Sequence, residues 1–351
     1  MTQLVHKNGD CFAVFFAAYM MADQHHRPYQ QRIRADVGII CDAAAQVMGL
    51  QYYGCRLTSK VYHRRFKSYF GFSARKVAFV WNNLIQIGWT QYERSASPTH
   101  LLWALAYMKT YAPEHKMALD LGIDEKTFRK WAWFFMEGIS ELCSYFVSAE
   151  KFGCHVCSYN FNFACLVALL KIRWENRFRQ DTYQRSLVTV DGTDFQIYEP
   201  SPFSTEWFSH KFDGPGLRYE IAVCINTGDI VWFNGPFPAG SHADVTIFRR
   251  NLKLMLGPTE MVVADAGYRD ERAIQPHQYQ DEQHKRAMDL ARARHETING
   301  RLKNWGIMRQ VFRHDKNKHV IPFKAILALT QIDIETGNPP FHVEYYHPAM
   351  V

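Results

Sequence analysis

No stretch of the 351-residue chain is apolar over the ~20 positions that a membrane-crossing helix needs. The nearest approach, Cys11 to Met21, follows Asp10 with a thin basic flank and no clear small-residue cleavage site. That context argues against secretion and for an amphipathic or buried helix. A disulfide framework is missing as well. Eight cysteines are scattered mainly through apolar segments, as at Cys41, Cys143, Cys165 and Cys224, which suits free buried thiols in a reducing compartment. Cys154-His155-Val156-Cys157 has metal-like spacing, but a zinc site needs a second pair and only Cys143 and Cys165 lie near, so ordinary core or loop cysteines are expected. Internal repeats and low-complexity segments are absent. Residues 43–92 contain no acidic residue at all.

What is present is a globular composition. Apolar residues make up 47% of the chain and aromatics 15%, enough for a sizeable core and too much for wholesale disorder. The net charge of +7 is uneven, with ten Lys or Arg against three acids over residues 285–318. A second basic segment, 56–76, carries Arg56, Lys60, Arg64, Arg65, Lys67, Arg75 and Lys76, interleaved with Tyr62, Phe66, Tyr69 and Phe70. Separate basic segments of this kind suit a surface that follows a phosphate backbone. Either one alone also fits a solvated helix face.

Apolar spacing near 3.6 predicts helices over 36–50, 73–88 and 99–111, with Pro98 and Pro113 at helix starts. Residues 113–136 read as a helix-turn-helix, with a first helix to Leu121, a turn at Gly122, and a second helix from the Asp124 cap to about Gly138. Phe128, Trp131, Ala132 and Phe135 form its inward stripe, leaving Lys126, Arg129, Lys130 and Trp133 outside. Two readings fit that pattern, a DNA-contacting helix and an ordinary packed helix pair. From Leu187 the runs become short and β-branched, at 187–190, 219–225, 230–234 and 261–264. Thr227-Gly228-Asp229 supplies a hairpin turn. Asp244 is expected to cap a helix reaching about Met255, and further helices are expected over 284–304 and 320–335. The organisation expected is a helical region at 1–95, a helix-turn-helix-like region at 96–150, a helical connector at 151–185, an α/β domain at 186–336 and an extended tail at 337–351.

Three carboxylates stand out in this frame. Asp191 lies in the run Val188-Thr189-Val190-Asp191-Gly192-Thr193, Asp265 ends Met261-Val262-Val263-Ala264-Asp265, and Glu296 lies on the helix expected over 284–304. Singly, each has a structural explanation as a turn acid or a surface Glu. Together, two acids on strand ends and one on a helix can converge on two Mg²⁺ ions roughly 3.5–4 Å apart for phosphoryl transfer. Glu296 shares its polar helix face with Asp289, Arg292, Asn299, Gly300 and Lys303, opposite Ala291, Ile298, Leu302 and Trp305. Arg294 is turned away from that face, and its replacement is expected to do little to the phosphoryl-transfer chemistry. Asp194 competes with Asp191 as the first ligand, but in a strand the two point to opposite faces.

The segment from about Phe70 to Ile334, most strongly 187–305, resembles the DDE transposase superfamily, specifically the PIF/Harbinger-like transposases and their bacterial relatives of the insertion-sequence 5 type. The sharpest match is the spacing of Arg292, Glu296 and Lys303. Gly240-Ser241-His242-Ala243-Asp244-Val245-Thr246-Ile247-Phe248 also resembles the family's segment between its two Asp motifs. Two positions depart from the family pattern: Asp289 stands where a Tyr opens the third signature, and Thr193-Asp194 replaces the usual Thr-His. The resemblance implies a ribonuclease-H-like catalytic domain, a mixed sheet flanked by helices, preceded by an all-α region with the helix-turn-helix. It also implies Asp191, Asp265 and Glu296 as catalytic acids holding two Mg²⁺ ions, with Mn²⁺ able to substitute. Arg292, Lys303, Lys126, Arg129 and Lys130 become the expected DNA contacts. Terminal-repeat and target double-stranded DNA, self-assembly into a homo-oligomer, and a separate Myb-like DNA-binding partner complete the picture. The place of action would be the nucleus in a eukaryote and the cytoplasm otherwise. The main alternative is a domesticated transposase-derived protein that binds DNA without cutting it; a weaker one is a plain structure-selective nuclease.

Overall fold

The carboxyl-terminal half builds one mixed sheet, and the register of its strands determines where the acids fall. The computed structural model describes residues 34–49, 59–148, 174, 177, 186–202 and 204–344. The expected helix over Cys11–Met21, the Cys154–Cys157 cluster, nearly all of the 151–185 connector and the end of the tail lie outside the described residues. Strands β1 (Ser186–Gln196), β2 (Phe208–Ser209), β3 (Gly214–Cys224), β4 (Ile230–Pro238), β5 (Met261–Val263) and β6 (Ala273–Ile274) form the sheet. β3 pairs antiparallel with β1 on one side and with β4 and the short β2 on the other. β1 continues in parallel to β5, and β5 to β6. A mixed sheet of this order, flanked by helices, is consistent with a ribonuclease-H-like domain. The β3–β4 hairpin turns at Gly228, which takes φ +76° as glycine readily does.

The helices before the sheet are α1 (Val37–Val47), α2 (Lys60–Phe70), α3 (Ala74–Gln86), α4 (Pro98–Thr110), α5 (Glu114–Leu121) and α6 (Glu125–Ser148). α1, α3 and α4 fall where the apolar spacing places them; α2 has no counterpart among the expected helices. Its aromatic residues Tyr62, Phe66 and Phe70 are fully buried along one stripe, so they serve the core and do not interleave with the basic residues on the surface. α5 ends on Gly122 in the left-handed conformation, and the Asp124 carboxylate accepts the Lys126 and Thr127 N–H groups to start α6. α6 runs ten residues past the expected stop near Gly138. Ile139, Leu142 and Cys143 carry the buried stripe onward, and Gly138 is where the Trp89 ring packs: a Cβ there would lie 2.5 Å from it.

After β4 come α7 (Asp244–Arg250), α8 (Glu282–Lys303), the short α9 (Gly306–Arg309) and α10 (Val320–Glu335). The principal hydrophobic core draws on α1 to α6, on Phe195, Tyr219 and Ile221 of the sheet, and on Ile298, Leu302, Trp305 and Phe323. A second core, with Val188, Val190, Phe248, Val262 and Tyr268, joins the sheet to α7. Each buried Phe, Leu or Ile contributes roughly 1.5–3 kcal/mol through area removed from water. Residues 35–351 cluster as a single compact unit. Cys41, Cys143 and Cys224 are buried and free. Among the described residues, no helix is long and apolar enough to cross a membrane.

Candidate active site

The site begins with the register between two parallel strands. Thr189 of β1 pairs with Val263 of β5. Two residues further along each segment stand Asp191, still within β1, and Asp265, just past the end of β5, on neighbouring strands spaced about 4.8 Å apart. Asp191 is therefore in the middle of β1, which outruns β5, and is not at a strand end as expected. α8 crosses this end of the sheet. Its Asn299 amide donates to Asp191 Oδ2 at 2.9 Å, and His295 Nδ1 lies 2.8 Å from Thr189 Oγ1. That crossing turns Glu296 and Arg292 into the same opening. Thr189, Val190, Asp191, Asp265, Arg292, His295 and Glu296 line one cleft.

The carboxylates feel one another. Burial, followed by repulsion from Glu296, Asp265 and Asp244, pushes the Asp191 carboxyl up to about 7, with Lys211 opposing. Glu296 is exposed, and Asp265 is half-buried with Oδ1 accepting the Gly267 N–H. His295 is pushed down to about 3, first by burial and then by Arg294 and Arg292, so it is neutral beneath the cleft. Among the described residues, no three acidic, histidine or cysteine side chains are drawn close enough to enclose an ion. The acids form an open cleft with no closed cage. The carboxylate oxygens of Asp191, Asp265 and Glu296 suit a hard divalent cation.

Lys303 is half-buried near the end of α8, with its amine 5.7 Å from the Phe195 ring centroid. Burial and Lys211 hold it below lysine's ordinary range, while Asp194, Glu296 and Asp191 pull the other way. The three DNA-contact residues expected on the helix-turn-helix lie elsewhere. Lys126 is exposed, whereas Arg129 is held by Glu114 and Glu125, and Lys130 by Glu93 at 2.9 Å.

Asp194 is a separate matter. It is fully buried on the opposite face of β1, where Arg218, its cross-strand partner, grips it in bidentate fashion at 2.7 and 2.9 Å, and Ser209 donates at 2.6 Å. Those hydrogen bonds lower its pKa despite the burial. An acid so fully engaged is structural, and this accounts for the Thr-Asp pair that departs from the family pattern.

Four neighbours are not foreseen from the sequence. Asp244 does not cap α7; Ala243 occupies the cap position and makes no side-chain cap bond. The Asp244 carboxylate instead lies against Gly192, where a Cβ would collide with it, and sits 3.4 Å from Arg218 Nη1. It reaches from α7 toward the loop carrying Asp265. Lys211 donates to the Gly192 carbonyl at 2.9 Å. Glu220, paired with Gly192 across the sheet, is 1% exposed, and burial raises its pKa well above the usual carboxylate range. Arg218 ties Asp194, Asp244 and the His242 carbonyl together. An Asp just before a helix reads locally as a cap, and cross-strand partners leave no local trace, so only the Gly-Ser-His-Ala-Asp block hints at Asp244.

A mixed sheet with one acid on β1, a second just past the end of β5 and a third on the helix crossing them is consistent with a ribonuclease-H-like domain carrying a carboxylate cleft. Residues 190–331, less than half of the chain but containing all three acids, match the family model of the DDE superfamily endonucleases, and this match supports a DDE-type transposase domain over that segment. No curated protein and no solved structure matches the chain.

Proposed function

We propose that the chain is a divalent-metal-dependent DNA endonuclease and strand-transfer enzyme of PIF/Harbinger type, with Asp191, Asp265 and Glu296 as its catalytic acids. The observation that carries this reading is the single cleft lined by those three acids and Arg292. The two aspartates and Glu296 would hold Mg²⁺, or Mn²⁺ in its place. The chemistry supplied there by the bound ions is activation of a water or 3′-hydroxyl and stabilisation of the departing 3′-oxygen. The protein's own groups do the rest. Asn299 orients Asp191 through Oδ2. Arg292 offers a planar fork to a phosphate, and Lys303 and Lys211 supply positive charge beside the acids. Asp194, sequestered by Arg218, takes no part in binding the ions. The family resemblance extends the proposal to terminal-repeat DNA, to self-assembly and to a Myb-like partner protein.

Labelled terminal-repeat DNA incubated with Mg²⁺, Mn²⁺ or EDTA tests the reading. Cleavage is expected with either ion and none with EDTA. Asp191→Asn, Asp265→Asn and Glu296→Gln should each lower cleavage at least about 10³-fold while leaving DNA affinity nearly intact. Near-normal cutting by any of the three would remove that residue from the site. Binding without any cleavage under all metal conditions would favour the domesticated, non-cutting alternative.

A further inference from the structure

The strongest unassigned feature is a run of unopposed positive charge that starts at α2 and ends beside the acid cleft. α2 contains no acidic residue, and its buried stripe leaves Lys60, Arg64, Arg65 and Lys67 exposed. Lys60, Arg64 and Lys67 follow i, i+4, i+7 spacing, so they lie along one outward face about 10 Å long. None of the four forms an ion pair among the described residues. That is the opposite of α6, where Arg129 and Lys130 are matched by Glu114, Glu125 and Glu93.

The charge continues toward the catalytic helix. Gly71, at the end of α2, lies against the Trp305 ring, which follows α8 directly; a Cβ on Gly71 would come within 2.5 Å of it. Lys109 of α4 donates to the Asn304 carbonyl at 2.7 Å and lies over the same ring. Burial and the nearness of Arg309 and Lys67 hold Lys109 below lysine's ordinary range, and no acid among the described residues offsets these three cations. Next before Asn304 is Lys303, close enough to feel the charges of Glu296 and Asp191. Like charges gathered this way repel unless an anion lies across them, and a regularly charged polyanion fits a line of them better than a single small ion does.

We propose that Lys60, Arg64, Lys67, Lys109 and Arg309 form the track on which the phosphate backbone of duplex DNA lies as it leads to the acid cleft. The inference rests on the DNA-processing reading of that cleft and adds to it the surface that holds the flanking duplex. On this reading α2 and its neighbours carry the phosphate contacts, and α6 contributes little beyond Lys126.

The test uses the full chain in EDTA, so that nothing is cut, and a 30-base-pair duplex followed by fluorescence anisotropy across a salt series. One variant combines Lys60→Gln, Arg64→Gln and Lys67→Gln; all three side chains are exposed, and matching thermal melts verify the fold. A second combines Lys126→Gln, Arg129→Gln and Lys130→Gln. Each lost phosphate contact should reduce the slope of log affinity against log salt by about 0.9. The α2 variant should therefore lose about 2–3 in slope and bind about 10–100-fold more weakly at low salt, while the α6 variant changes less than about threefold. If wild type binds duplex and the α2 variant keeps its slope, the track is wrong and the cleft reading stands. If wild type binds no duplex at any salt, the DNA-processing reading falls and the track with it.

Discussion

At the scale of single residues, Asp191 sets the terms on which the site exists. Its folded pKa is about 7 against 3.8 for an ordinary aspartate, so between those values the folded chain keeps a proton that the unfolded chain has released. Stability contributed by this group is therefore full below about pH 4 and is lost as pH rises through about 7. Asp191→Asn removes the repulsion. In metal-free protein it should raise stability at pH 8 by about 1–3 kcal/mol, discounted for partial exposure, and leave it unchanged at pH 4. Thermal melts at the two pH values check this, and an equal gain at both would assign the effect to packing. Arg294 carries the opposite lesson. It faces away from the cleft as expected, yet it is 1% exposed and donates to the Cys224 and Ile225 carbonyls. Arg294→Ala should cost about 2–4 kcal/mol in chemical denaturation, through a cavity and orphaned carbonyls. The exposed Arg286 is the neutral comparison. Helical spacing separates the faces of α8 but cannot tell solvent from a neighbouring strand, so the sequence alone places Arg294 off the cleft without showing that it is buried.

Among elements, those with a strong internal period are legible in the sequence and those defined by their neighbours are not. α8 and α10 fall within two residues of expectation, α8 starting on the Asp281 cap and α10 built from a nearly continuous apolar run. β1 reads as a four-residue run and is an eleven-residue strand. Its second half, from Asp191 to Gln196, is polar apart from Phe195 and gains strand character from pairing with β3. The same strand shows how backbone space serves the site. Gly192 leaves room for the Asp244 carboxylate arriving from α7. Gly192→Ala must displace that carboxylate or bend β1. It should cost about 1–3 kcal/mol in stability and lower cleavage at least about tenfold, measured side by side. Cleavage unchanged in a destabilised variant would make Asp244 a bystander.

For the whole molecule, the family match and the packing have different limits. The match covers 190–331, but the main core joins Ile298, Leu302, Trp305 and Phe323 to side chains from all six preceding helices. A fragment holding only residues 186–344 would expose that surface and should be insoluble or molten, whereas a fragment starting at residue 34 should fold cooperatively. Near-ultraviolet circular dichroism of the two distinguishes the outcomes.

That joint has a consequence for how such a protein changes over evolutionary time. Trp305 is gripped by Gly71, Phe72 and Lys109, all from outside the matched segment. The acid-bearing half is thus not a cassette that recombination can lift out and fuse to a new targeting module. A viable exchange must take the helical layer along or supply another ring-sized socket for the tryptophan. Descendants of this chain should accordingly diverge by surface substitution and terminal additions, with their interior partners inherited as a set.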